Sequence, residues 1–245
     1  MPYARLDLRT GDGLLDLHVF QPEGAGPWPA VIFYMDAFGV RAELCGMAER
    51  LASYGYVVAL PNLYYRSGAY APFDPAEVAA GGAERDRFKG MIASIGNTAV
   101  MADTAAILAA LDQHPAVRPG AKAVVGYCMG GGFALAAAGT FPEAVAAAAS
   151  FHGGSLATDK PDSAHRLAAR IRARVYVGIA GIDPGFTDEQ RQRLDAALGT
   201  AGVDYTLEVY PGARHGFAVT GHLVYDQEAA ERHWATLVRL LADTL

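Results

Sequence analysis

Two kinds of apolar run alternate along this chain, and their alternation predicts a layered fold. Ala30–Met35, Tyr56–Leu60, Ala123–Val125 and Val175–Ala180 are short and continuously apolar, the pattern of strands buried on both faces. Between them, apolar residues recur three and four apart, as one face of a helix requires. Arg41–Tyr54 aligns Leu44, Met47, Ala48 and Leu51, and Gly55 closes it. Asn97–His114 aligns Met101, Ala105, Leu108 and Leu111 before Pro115 stops it. Thr187 and Gln190 resemble a capping box for a helix through Leu198, and Asp226–Leu245 turns Ala230, Trp234, Leu237 and Leu241 inward.

The remaining segments are read from alternation and punctuation. Arg5–Arg9 and Leu15–Val19 alternate around Thr10-Gly11-Asp12-Gly13 and predict an antiparallel hairpin, with His18 a surface strand residue. Val145–Phe151 is Ala-rich, which favours helix, but its place between helical segments and its end at His152-Gly153-Gly154 make it a strand. Tyr205–Tyr210 alternates as a strand, and Pro161–Ile171 reads as loop and short helix. Residues 61–96 lack periodicity and are rich in Tyr, Pro, Gly and Ala, which predicts a lid or substrate loop with short helices. The expected architecture is a single α/β domain over 1–245. About eight strands form a mostly parallel sheet, with an N-terminal antiparallel hairpin and helices on both faces.

Composition narrows the function. A hydrophobic content of 52% with 19% charged residues excludes disorder or a fibre. The formal net charge of −6 argues against nucleic acid or anionic membrane as a partner. The two cysteines, Cys45 and Cys128, are far apart and form no disulfide framework. Cys45 reads as a structural thiol beside the apolar face of its helix. With no apolar leader in Met1–Asp7 and no apolar run of spanning length, a cytoplasmic protein is expected, as monomer or homodimer. The scattered His residues show no ligand spacing, and the Gly-rich stretch lacks a phosphate-loop ending, so neither metal nor cofactor is expected.

The chemistry gathers at strand ends. Gly126-Tyr127-Cys128-Met129-Gly130 follows an apolar strand and opens a helix, like the nucleophile elbow of α/β-hydrolases with Cys in place of Ser. Glycines are required there because the backbone at the nucleophile is strained and its neighbours approach closely. Asp183 and His215 also follow predicted strands, and in a parallel sheet the carboxyl ends share one edge. Nucleophile, acid and His is the α/β-hydrolase order. An imidazole raises the thiolate fraction of a nearby thiol, and a carboxylate on its other nitrogen fixes its tautomer. Asp36 stands at a further strand end, where it either caps the turn or handles the thiol proton. The N–H groups of Ala37 and Met129 are candidates for an oxyanion hole.

The elbow, Phe38-Gly39 after an acidic residue, Ala59-Leu60-Pro61-Asn62-Leu63-Tyr64 and His215-Gly216-Phe217 together resemble the dienelactone hydrolase family. The pattern runs from about Pro29 to Phe217 with its order preserved. The resemblance implies an α/β-hydrolase that opens an ester or lactone with Cys128, Asp183 and His215. It also implies a resting thiol that shares its proton with an acidic neighbour. That neighbour is commonly Glu in the family and is Asp36 here. Dienelactone-cleaving members place an Arg four residues after the catalytic His, where this chain has Val219, so a bidentate carboxylate clamp is missing. Arg85, Arg87 and Arg214 are the candidate substitutes for substrate binding.

The expected function is therefore a cofactor-independent hydrolase of small esters or lactones acting through a thioester. Acyl transfer or C–C hydrolysis on the same fold stays open at this point, because chemistry is decided by the pocket. A non-catalytic binding protein would be marked by a lost triad member, and none is lost.

Overall fold

The computed structural model describes residues 1–245. Eight strands form one sheet in the order β1-β2-β4-β3-β5-β6-β7-β8. The hairpin β1 (Tyr3–Thr10) and β2 (Gly13–Phe20) is antiparallel, and β2 also pairs antiparallel with β4 (Val57–Pro61). From β4 onward through β3 (Ala30–Tyr34), β5 (Lys122–Tyr127), β6 (Val145–Phe151), β7 (Arg174–Ile182) and β8 (Tyr205–Arg214), every pairing is parallel. β3, β4 and β5 are buried at every position, as expected of central strands covered on both faces.

Helices pack around this sheet: α1 (Ala42–Ser53), α2 (Pro75–Ala80), α3 (Gly82–Ala93), α4 (Asn97–Gln113), α5 (Met129–Thr140), α6 (Asp188–Thr200) and α7 (Gln227–Thr244). Their ends follow local chemistry. Asp226 caps α7 by accepting from the Ala229 N–H, and Thr187 caps α6 by accepting from the Gln190 N–H. The inward residues of α7 are the expected Ala230, Trp234, Leu237 and Leu241, joined by a buried His233 that hydrogen-bonds Tyr127 Oη at 2.9 Å. No single helix is long and apolar enough to cross a membrane.

Two segments depart from the sequence pattern for physical reasons. β8 continues through Pro211 to Arg214, beyond the predicted Tyr205–Tyr210. It is the edge strand, so the N–H that proline lacks is one the sheet does not need, and the register shifts near Gly181 to accommodate the turn. Residues 61–96, patternless in sequence, hold α2 and α3. No residue of α3 is buried, so no apolar face could signal it. That segment stands over the carboxyl ends of the parallel strands, beside the elbow that follows β5.

Candidate active site

Cys128 sits between the last residue of β5 and the first of α5 with φ 55° and ψ −119°, a strained conformation for a residue with a side chain. The strain is held by close packing that admits no side chains nearby. A Cβ on Gly126 would lie 1.9 Å from the Gly130 carbonyl oxygen, and one on Gly130 would lie 2.5 Å from that of Tyr34 in β3. The flanking glycines thus let helix α5 start against the sheet, which lifts the sulfur to the strand ends.

β7 and β8 deliver the other two groups to the same edge. Asp183 directly follows β7, and its Oδ1 accepts from the Gly185 N–H at 2.8 Å. His215 directly follows β8; its Nδ1 donates to Asp183 Oδ2 at 2.7 Å, and its Nε2 lies 3.0 Å from Cys128 Sγ. The Asp183 side chain is 3% exposed and that of His215 31% exposed, so the carboxylate is sheltered while the imidazole meets the cleft. Burial alone would lower the His215 pKa, but the negative charge on Cys128 and the Asp183 hydrogen bond outweigh it and raise it to about 10. The three residues brought together are those expected from the sequence.

Behind His215 lies a residue whose surroundings the sequence did not reveal. His152 directly follows β6 with a positive φ of 39°, is buried, and sets its ring edge-on to His215 with centroids 5.4 Å apart. Burial, with the neighbouring His215, pushes it well below the usual histidine range, so it stands neutral. Neither of its nitrogens has a hydrogen-bond partner.

Ala37 and Met129 both line the cleft with Cys128. The Ala37 N–H donates to no backbone carbonyl, while its own carbonyl accepts from the buried Tyr64 hydroxyl at 2.8 Å. Met129 is the first residue of α5, where leading N–H groups have no partner within the helix. Two free donors therefore border the space above the sulfur.

Asp36 is placed otherwise than as a partner of the thiol. Its carboxylate, 1% exposed, takes both terminal nitrogens of Arg41 at 2.7 and 2.8 Å and the Phe38 N–H at 3.0 Å. His222 Nε2 lies 3.2 Å from its Oδ2, and no hydrogen bond joins Asp36 to Cys128. Burial by itself would raise the carboxyl pKa, but the His222 and Arg41 hydrogen bonds outweigh that and hold it below the usual carboxylate range. A carboxylate so engaged is a poor acceptor for a thiol proton.

The three candidate arginines are likewise turned away. Arg85 donates to the Val78 carbonyl at 3.0 Å and to that of Ala79, which fastens α3 to the end of α2. Arg87 pairs with Glu84, donates to the Ala71 carbonyl at 3.0 Å and covers the Phe73 ring. Arg214 is exposed, and none of the three lines the cleft. The cleft above Cys128, about 590 Å³, has Lys89 and Lys160 as its cations, with Asp162 as counter-charge and Ile92, Ile95 and Phe133 as apolar wall. Val219 is fully buried and does not reach it. The lysines carried no motif in the sequence; their position depends on the course of α3 and the loop after β6. No cluster of three or more His, Cys, Asp or Glu side chains is gathered that could hold a metal.

A mostly parallel sheet in this strand order, with a strained elbow after β5 and an acid and His after β7 and β8, defines an α/β-hydrolase fold. The chain matches the model of the dienelactone hydrolase family over residues 15–245, and it belongs to that family. It is 27% identical over 233 residues to a Synechocystis protein named "Putative carboxymethylenebutenolidase", covering 93% of this chain and 91% of that one. Among solved structures, a dienelactone hydrolase-like promiscuous phosphotriesterase from metagenomic libraries superposes with a TM-score of 0.76 at 25% identity, over 100% of this chain and 99% of its own. The dienelactone hydrolase of Anabaena variabilis shares the fold with a TM-score of 0.70 at 19% identity, over 100% of this chain and 98% of its own.

Proposed function

We propose that this chain hydrolyses small carboxylic esters or lactones by way of a thioester on Cys128. The observation that carries the reading is the relay from Asp183 through His215 to Cys128, at 2.7 and 3.0 Å, beneath a cleft. Cys128 Sγ, its proton passed to His215, attacks the ester carbonyl carbon, and the carbonyl oxygen takes the negative charge. The Ala37 and Met129 N–H groups border the place where that oxyanion forms. As the tetrahedral adduct collapses, protonated His215 gives its proton to the leaving alkoxide. His215 then takes a proton from water, whose oxygen attacks the thioester, and the carboxylic acid departs as the thiol reforms. Asp183 holds the imidazole tautomer and steadies its positive form throughout.

Family membership supports the same reading, since a curated relative is named for carboxymethylenebutenolide cleavage. The cleft's apolar wall and modest size suit a small acyl group or ring rather than a polymer. Turnover of short aryl esters and small lactones by the wild type, abolished in Cys128→Ala, is the expected result. Full turnover in Cys128→Ala contradicts it.

A further inference from the structure

Asp36, Arg41 and His222 form a cluster that the reaction path above does not use. It joins parts of the chain that bear on the reacting atoms. Arg41 grips the Asp36 carboxylate with both terminal nitrogens and also donates to the Gly39 carbonyl at 3.1 Å. The turn of residues 36–41, which carries the Ala37 N–H, is therefore wrapped around one carboxylate–guanidinium pair. His222 comes from the segment that follows His215. Its Nε2 lies 3.2 Å from Asp36 Oδ2 and 3.2 Å from Arg41 Nη2. Whichever tautomer it adopts, that nitrogen has a partner: it donates to the carboxylate or accepts from the guanidinium. Phe38, next to Ala37, sets its ring edge-on to His222 at 4.9 Å and against Phe88 of α3 at 4.8 Å.

We infer that Asp36, Arg41 and His222 are positioning residues that clamp the Ala37 turn to the segment bearing His215, and so hold the oxyanion donor in register with Cys128. The inference rests on the proposed role of Ala37. An oxyanion hole works only when its donors are fixed before charge develops, because moving them during reaction costs what they would gain. A backbone N–H in a turn has no side chain to steer it. Here the fixing is done by the bidentate Arg41 fork, by the Tyr64 hydroxyl on the Ala37 carbonyl, and by His222. The carboxylate at position 36 thus serves the electrophilic half of the site rather than the thiol proton. His222 ties this turn to a segment 186 residues away in sequence, which joins the two halves of the site.

A clamp of this kind has a signature that distinguishes it from a role in the thiol–imidazole pair. Alkylation by iodoacetamide needs the reactive sulfur but develops no oxyanion on a carbonyl. Ester turnover needs both. The experiment measures kcat and KM on a short aryl ester, and iodoacetamide rates with Cys45→Ser throughout, for wild type, His222→Phe, His222→Gln and Arg41→Lys. His222→Phe keeps a ring against Phe38 and removes the polar contacts. It should lose at least about tenfold in kcat, as small misplacement of catalytic groups does, with KM and alkylation within about threefold. His222→Gln can both donate to Asp36 and accept from Arg41, and should restore kcat to within about threefold of wild type. Arg41→Lys keeps the charge and loses the fork, so it should fall with His222→Phe, and it tests the clamp should that protein not fold. A kcat within about twofold of wild type in His222→Phe or Arg41→Lys overturns the inference, as does alkylation that falls in step with kcat. Cys128→Ala, run alongside, separates the two readings: turnover surviving there removes the hydrolase reading itself, whereas turnover lost there but intact in the clamp variants removes only the clamp.

Discussion

Asp36 and Arg41 meet as a two-bonded ion pair, at 2.7 and 2.8 Å, with side chains 1% and 9% exposed. The carboxyl is held below its usual range, so the folded state binds its proton less readily than the unfolded chain does. Stability from this pair is therefore present above the unfolded value near pH 4 and is lost as pH falls through the folded value. Asp36→Asn leaves the largely buried Arg41 with only the half-exposed Glu43, 3.4 Å from its Nε, as counter-charge, so it should cost up to about 3–5 kcal/mol at neutral pH. In urea unfolding followed from pH 7 to pH 3, wild type should lose stability more steeply than the variant at the acid end. Parallel curves contradict the pairing.

His215 has the opposite sign. Its folded pKa of about 10 stands above the ordinary histidine value of 6.5, through the charge on Cys128 and the Asp183 hydrogen bond acting against burial. Its contribution to stability is complete below pH 6.5 and fades as pH rises toward 10. The urea midpoint of wild type should accordingly drop across that window by more than that of Cys128→Ala, which lacks the charge that raises the imidazole. Equal slopes in the two proteins count against a charged thiol–imidazole pair.

Substrate charge should be felt by the lysines and not by the arginines. Lys89 and Lys160 line the cleft, whereas Arg85, Arg87 and Arg214 do not. Both lysines are exposed, so each is worth about 0.2–1 kcal/mol toward an anionic ester. Lys160→Ala should raise KM for a carboxylate-bearing ester by about 1.5- to 5-fold and leave a neutral ester unchanged. Arg87→Ala should change neither. Matched KM values for anionic and neutral esters across both variants are the check.

How far the site was legible follows from the range of the forces that build it. The elbow was readable because strand, strained turn and helix are adjacent in sequence, and the glycines at 126 and 130 answer to contacts that a Cβ would violate. Asp183 and His215 were readable because parallel topology sends strand ends to one edge. Asp36 was placed correctly at a strand end, but its partners were not read: Arg41, five residues on, belongs to no motif, and His222 enters from 186 residues away. The arginines of α3 were misjudged for a related reason. With no buried residue, that helix gives no periodic signal, and the direction of each side chain is set by neighbours such as Val78, Glu84 and Phe73. The extension of β8 through Pro211 was hidden because proline reads as a strand breaker unless the strand is known to lie at an edge.

The central claim is that Cys128 carries the acyl group, and intact-protein mass measurement tests it most directly. Wild type mixed with a short aryl ester and quenched in acid within the first turnovers should gain one acyl mass, located on Cys128 after digestion. His215→Gln should gain it more slowly and Cys128→Ala not at all. Ester turnover at the wild-type rate with no acyl adduct, or an adduct that persists in Cys128→Ala, would contradict the account.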